Sequence, residues 1–147
     1  TLIIITEEID LSVASVVALS SVTVGILTRD GAPFEIAMLA GVLVGAIAGV
    51  INGFLITVVG LPSLAVTIGS LAMFRSIAVG LLGTQAVTDF PEEWTSLARA
   101  NIPGTPVPVI MIAFVVLAII FGIILHATPF GRSLYAIGLN KEVAHFS

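Results

Sequence analysis

The segment VPVIMIAFVVLAIIFGIILHATPFGRSLYAIGLN, Val107 to Asn140, joins an uninterrupted apolar run, Val107 to Leu125, to a short amphipathic stretch. A helix needs about 20 apolar residues to cross the hydrocarbon core, and this run supplies them. The amphipathic stretch reads as a short helix delivered to the membrane surface. Thr128 suits its N-cap, Pro129 its first turn, where a missing amide donor costs nothing, and Gly138 the left-handed residue at which a helix stops. Phe130, Leu134 and Ile137 then share one face, an apolar stripe of the kind that docks a soluble partner.

The rest of the chain agrees with a membrane reading. Of its residues 58% are apolar and only 10% charged, and the mean hydropathy is +1.21, far from the soluble range. The expected fold is all-α, a polytopic transmembrane helical bundle. Four spans can be marked out, Leu11 to Leu27, Ile36 to Val59, Ser63 to Leu82 and Val107 to Ala127, followed by a segment over 128–147. The first is short: it is either a half-helix or one that continues back through Leu2 to Ile5 across a break at Glu7 to Asp10, tolerated only where protein or a water-filled cavity surrounds it. Thr28 to Glu35 reads as a tight polar turn, and Thr84 to Pro106 as a long acidic, Pro-rich loop with Trp94 as an interface anchor. Without cysteine there is no disulfide or thiol site, and a net charge of −4 argues against nucleic acid as a partner.

Two patterns inside the spans carry the functional expectations. Gly41, Gly45, Gly49 and Gly53 recur every four residues, a ladder that lets another helix backbone approach closely where burial from water no longer drives association. Polar residues in the spans are costly in hydrocarbon and usually face a partner or a cavity. Asp10 and Ser12, Asn52, Ser63, Thr67, Ser70 and Arg75 are therefore the candidate substrate-pathway residues. Each has a plainer alternative. Asp10 can cap the helix beginning at Leu11 by accepting from the amide of Ser12 or Val13, and Asn52 can tie helices together. The hydroxyls of Ser63, Thr67 and Ser70 can bond their own backbone. Arg75 can snorkel or pair with an acid on another span.

Three blocks resemble one family. Phe-Gly-Arg-Ser-Leu-Tyr-Ala-Ile-Gly-Leu-Asn, from Phe130, resembles the cytoplasmic loop of ribose-type ABC sugar permeases, the bacterial sugar and autoinducer-2 group. Glu8-Ile9-Asp10-Leu11-Ser12-Val13-Ala14-Ser15 resembles that family's Gly-Ile-Asp-Leu-Ser-Val-Gly-Ser signature. Asn52-Gly53, with Leu61 to Leu71, resembles its Asn-Gly and Pro-Ser-Phe-Ile-Val-Thr-Leu-Gly-Thr-Leu segment. The blocks stand in the family's order, with Glu7-Glu8 where Gly-Gly is frequent and Leu139 where a second Gly is common. With Thr1 not an initiator Met and Ser147 just past the docking element, the chain reads as an internal excerpt of a longer permease.

The resemblance implies a permease subunit of a binding-protein-dependent ABC importer in the bacterial cytoplasmic membrane, carrying a neutral monosaccharide such as ribose, rhamnose or a related sugar. It also implies an ABC ATP-binding subunit, an extracytoplasmic sugar-binding protein and a second permease copy, identical or paralogous. Phe130, Gly131, Arg132, Tyr135, Ala136, Ile137, Gly138 and Asn140 inherit the ATPase-coupling role, which places the Thr128 end in the cytoplasm. Charge counting does not orient the chain, since Arg132 and Lys141 on one side balance Arg29 and Arg99 on the other. No catalytic constellation, phosphate-cradling Gly-Lys-Ser/Thr loop or metal-ligand spacing around His126 and His145 is present. No cofactor is expected on this chain; ATP and its magnesium belong to the partner subunit. Two other readings use the same features: an ion-coupled secondary transporter, for which a mid-span Asp, Glu or His is missing, and a non-transport assembly or anchoring subunit.

Overall fold

A computed structural model of the chain describes residues 9–88 and 90–139. Glu7, Glu8, Asn140, Lys141 and His145 lie outside them. Six helices are present among the described residues: α1 Val13–Arg29, α2 Phe34–Thr57, α3 Ser63–Leu82, α4 Glu92–Arg99, α5 Ile110–Ala127 and α6 Pro129–Leu139. They belong to two compact units, 9–91 and 92–139.

In the first unit α1 packs along both α2 and α3, which touch each other over a shorter stretch. Turn chemistry sets the ends of these helices. After α1, the Asp30 amide bonds Ile26 O at 2.9 Å and the Ala32 amide bonds Leu27 O at 2.9 Å, while Gly31 takes φ +91°, as a helix stop requires. Pro33 then starts α2, its carbonyl accepting from the amides of Ile36 and Ala37. Gly60, at φ +78°, turns the chain before Pro62 starts α3, and Gly83 at φ +62° ends it. The observed α3 has the bounds expected from sequence. By contrast α2 runs two residues earlier at both ends, because Pro33 presets its first turn and the chain reverses at Gly60. α1 starts at Val13 rather than Leu11, since the Ser12 amide is taken by Asp10 Oδ1 at 2.8 Å.

Helices α2, α3 and α5 are long and apolar enough to cross a membrane; α1, with 17 residues, is apolar but shorter. The protein is a membrane protein, and its outer surface fits that medium: Val42, Val50 and Phe114 are each about two-thirds or more exposed, a cost in water and none in lipid. The apolar core of the first unit is small, Leu19, Ala48, Phe74 and Ala78 with Val16, Val22 and Val44 against it. Beyond the end of α3 the chain folds back so that Val87 and Phe90 cover Gly25, with Phe90 edge-on to Phe34 at 6.4 Å. Arg29 Nη1 donates to Gln85 Oε1 at 2.8 Å across the same end.

The glycine ladder divides. A Cβ at Gly41 would lie 2.6 Å from Val24 Cγ2 and 3.4 Å from the Ser20 carbonyl oxygen, and one at Gly45 would lie 3.4 Å from Ser20 Oγ. At Gly49 and Gly53 nothing beyond their own helix backbone stands within 4 Å among the described residues. Helix geometry explains this. Four residues turn a helix by about 400°, so each step of the repeat slips about 40° around the axis, and by Gly53 the ladder has rotated away from α1. The buried line on α2 is Ala37, Gly41, Ala48 and Asn52, whose steps of four and seven hold one face.

The 84–106 segment is not wholly a loop. Pro91, Glu92 and Glu93 at the positive end and Arg99 in the last turn support the eight-residue α4. Trp94 lies on it, 43% exposed. The chain then makes a narrow hairpin in which the Ile102 amide bonds Val107 O at 2.8 Å and the Val109 amide bonds Ala100 O at 2.8 Å. These bonds hold Val107 and Val109 in the hairpin, so α5 begins at Ile110 rather than Val107.

The two halves of the ladder should respond differently to substitution. Gly41→Leu should lower the melting temperature of the full-length protein in detergent, because overpacking a close contact costs about 1–3 kcal/mol. Gly49→Leu should leave the packing of α1 on α2 intact, and an equal loss in both variants would contradict the packing described.

Candidate functional site

Five of the seven polar residues singled out from sequence converge where the N-terminus of α1 meets α2 and α3. Asp10 Oδ1 accepts from the Ser12 amide at 2.8 Å and from Ser12 Oγ at 2.7 Å. Ser12 Oγ, its one proton committed to that carboxylate, accepts from Asn52 Nδ2 at 2.9 Å. Asn52 Oδ1 in turn accepts from Ser70 Oγ at 2.5 Å. Donation therefore runs in one direction, Ser70 to Asn52 to Ser12 to Asp10, ends on a carboxylate and crosses three helices. Because a carboxylate only accepts, its demand on the Ser12 proton settles which way the Asn52 amide points.

Two further bonds brace the junction. Ser15 Oγ donates to Ser12 O at 2.7 Å, the same carbonyl that accepts from the amides of Ser15 and Val16 and so starts α1. Thr67 Oγ1 is shared between Ile9 O at 3.3 Å and Leu64 O at 3.4 Å, linking the residues before α1 to α3. Ser12, Ser15, Asn52, Thr67 and Ser70 are all buried. No buried side-chain nitrogen or oxygen among the described residues lacks a hydrogen-bond partner. A buried polar group without a partner costs about 1–3 kcal/mol, so closure of this set is what makes five polar side chains tolerable inside an apolar bundle.

The structure thus joins Asp10, Ser12, Asn52, Thr67 and Ser70, and leaves Ser63 and Arg75 apart. Ser63 is half-buried in the first turn of α3. Arg75 is exposed and borders an open furrow of about 290 Å³ between α1 and α3. Sequence reasoning did not single out Ser15, although it closes the signature block; a hydroxyl whose partner lies three residues back has no long-range pattern to reveal it. No cluster of His, Asp or Glu among the described residues could hold a metal ion.

The surface helix in the other unit is built by a sharp corner. Thr128 is extended, with φ −108° and ψ 157°. Its Oγ1 donates to Ile124 O at 2.5 Å and accepts from the Gly131 amide at 3.3 Å, so one hydroxyl bonds the end of α5 and caps α6. Pro129 is the first residue of α6. Gly131 is buried, and a Cβ there would collide with the Leu125 backbone carbonyl; only glycine lets the chain turn this tightly. Leu134 and Ile137 are half-buried, and Arg132 is exposed. Phe130 is 58% and Tyr135 42% exposed, the Tyr135 ring standing 6.4 Å from that of His126. Ala136 and Gly138 lie within the helix, which continues to Leu139. Gly138 is thus a helical residue and not the expected left-handed stop, since glycine permits that conformation without imposing it.

Comparison with known proteins covers the whole chain. The family described as branched-chain amino acid transport system / permease component matches residues 1–147. The autoinducer 2 import system permease protein LsrD of Yersinia enterocolitica is 33% identical over 100% of this chain and 46% of its own length. The proteins of the same name from Salmonella typhi and Yersinia pestis strain Pestoides F are each 32% identical, over 46% and 45% of their lengths. The chain thus spans about half the length of these curated relatives. No solved structure matches it.

The junction predicts a graded response. Asn52→Leu strands the Ser70 donor and removes the donor to Ser12, and should destabilise the full-length protein by about 1–3 kcal/mol, read as a fall in melting temperature. Ser63→Ala, outside the junction, should change it little; matching shifts in the two variants would count against the network.

Proposed function

The chain belongs to the family of branched-chain amino acid transport system permease components, and on that footing we propose that it is the membrane-spanning part of a permease subunit in a binding-protein-dependent ABC importer of the bacterial cytoplasmic membrane. The cargo is a neutral monosaccharide or related furanose. The names of its relatives, permeases of autoinducer 2 import systems, support that class. Scarce charge inside the spans supports it too, because an ionic cargo would call for compensating residues.

The observation that carries the reading is the capped helix α6, set at a fixed corner to α5 by Thr128 and Gly131. Phe130, Arg132 and Tyr135 are exposed on it, the aromatic and Arg residues that dominate protein contacts. In this reading α6 seats in a groove of an ATP-binding subunit, with Phe130 and Tyr135 as anchors and Arg132 pairing across the contact. A bonded corner transmits displacement as a rigid lever, so closure of two ATPase domains on ATP and magnesium moves α5. A second permease copy completes the pathway, and an extracytoplasmic binding protein delivers the sugar. The permease supplies no catalytic group of its own. Asp10, Ser12, Asn52, Thr67 and Ser70 act in the pathway by holding the start of α1 against α2 and α3, so that the three helices move together.

Reconstitution of the full-length protein with its ATP-binding subunit and a panel of sugar-loaded binding proteins tests this. One loaded binding protein should stimulate ATP hydrolysis, and a flat response in an intact complex would refute the importer reading. Arg132→Ala combined with Tyr135→Ala should abolish that stimulation while leaving binding-protein docking unchanged, and Gly131→Ala should do the same by displacing the helix. Coupling that survives all of these changes would remove α6 from transmission.

A further inference from the structure

The corner between α5 and α6 carries a second contact beside the Thr128 hydroxyl. His126, in the last turn of α5, turns its ring back on its own helix, with Nδ1 2.9 Å from Gly122 O. A carbonyl oxygen only accepts, so Nδ1 carries the proton and donates. The side chain is exposed, yet this bond holds the ring in one orientation whether the imidazole is neutral or charged, since Nδ1 is a donor in both states. Tyr135 stands opposite. Gly131 meets the Leu125 backbone, and Tyr135, four residues on, shares that side of α6, which brings its ring to the residue after Leu125. The two rings are 6.4 Å apart and inclined at 55°, within the span of about 4.5–7 Å over which offset and tilted aromatic pairs attract. Tyr135 remains 42% exposed, so the contact leaves much of its ring open.

We infer that His126 is a positioning residue for coupling, which holds the Tyr135 ring in the orientation that meets the ATP-binding subunit. The inference rests on the reading of α6 as the ATPase contact. His126 acts through Tyr135. A tyrosine on a surface helix that must be ordered at the moment of contact spends side-chain entropy on binding, and one already ordered does not. The support also has a mechanical consequence. The His126 ring is tied to α5 through Gly122 O, so the second turn of α6 is joined to the span as well as the first, and the anchor follows α5 when the span moves. The part of His126 that matters is the ring face and not its charge: the Nδ1 bond sets where the ring stands, and the ring is what Tyr135 leans on.

Variants of the full-length permease, reconstituted with its ATP-binding subunit and the loaded binding protein that stimulates it, separate the ring from the Nδ1 donor. His126→Ala should cut stimulated ATP hydrolysis about two- to tenfold, the equivalent of one aromatic pair. His126→Gln, which keeps a donor for Gly122 O and lacks the ring, should lose as much, whereas His126→Phe, which keeps a ring, should retain most of the stimulation. Fluorine NMR of fluorotyrosine-labelled protein supplies a readout that does not depend on coupling: the Tyr135 resonance, identified as the one missing from Tyr135→Phe, should shift in His126→Ala and in His126→Gln. An unmoved resonance, full stimulation in His126→Ala, or a Phe variant as impaired as the Ala variant overturns the inference. Tyr135→Ala tells this failure from failure of the reading beneath it. Full stimulation in that variant removes Tyr135 from coupling and overturns both, while loss there beside full stimulation in His126→Ala strikes His126 alone.

Discussion

Asp10 Oδ1 takes both the amide and the hydroxyl of Ser12, and the rest of the three-helix unit is arranged around that pair of bonds. They hold Ser12 where its carbonyl starts α1 and its Oγ receives Asn52. Through Asn52 the constraint reaches Ser70 on α3, and Thr67 fixes the preceding residue, Ile9, to the same helix. In water, apolar burial would hold three such helices together. Between lipid-facing surfaces that drive is absent, and van der Waals contact with interhelical hydrogen bonds must replace it. The small core and the five buried polar side chains of this bundle are what that substitution looks like.

Close approach supplies the other half. Gly41 admits Val24 and the Ser20 carbonyl, bringing α2 against α1 so that Asn52, eleven residues further on, can reach Ser12. Gly131 does the same in the other unit, where the absence of a Cβ lets α6 turn directly against Leu125. In both places glycine serves by what it omits, and a hydrogen bond then secures the geometry: Asn52 to Ser12 in one case, the Gly131 amide to Thr128 in the other.

Much of this was legible in the sequence because local chemistry leaves local marks. Pro62 and Gly83 bracket α3 to the residue, and Thr128-Pro129 marks the start of α6 because capping depends on neighbours in the chain. The polar residues of the junction were also recognisable as misfits in apolar spans. Their partnerships were not: Asn52 and Ser12 are 40 residues apart and Asn52 and Ser70 are 18 apart, and only the packing of the helices brings them within reach. The glycine ladder meets α1 only at Gly41 and Gly45, since a repeat of four is regular on paper but winds around a helix of 3.6 residues per turn. Helix α4 was hidden by the prolines around it, although Glu92, Glu93 and Arg99 already carried the charge pattern of a short helix.

The most direct test of the central claim is the coupling between two residues that share only Asn52. In a double-mutant cycle on the full-length protein in detergent, Ser12→Ala and Ser70→Ala should be non-additive, with an interaction energy of about 0.5–3 kcal/mol in unfolding free energy. That result would show that the hydrogen-bonded chain acts as one unit across α1, α2 and α3. Strict additivity would mean that the bonds form independently, and that the helices are held by packing alone.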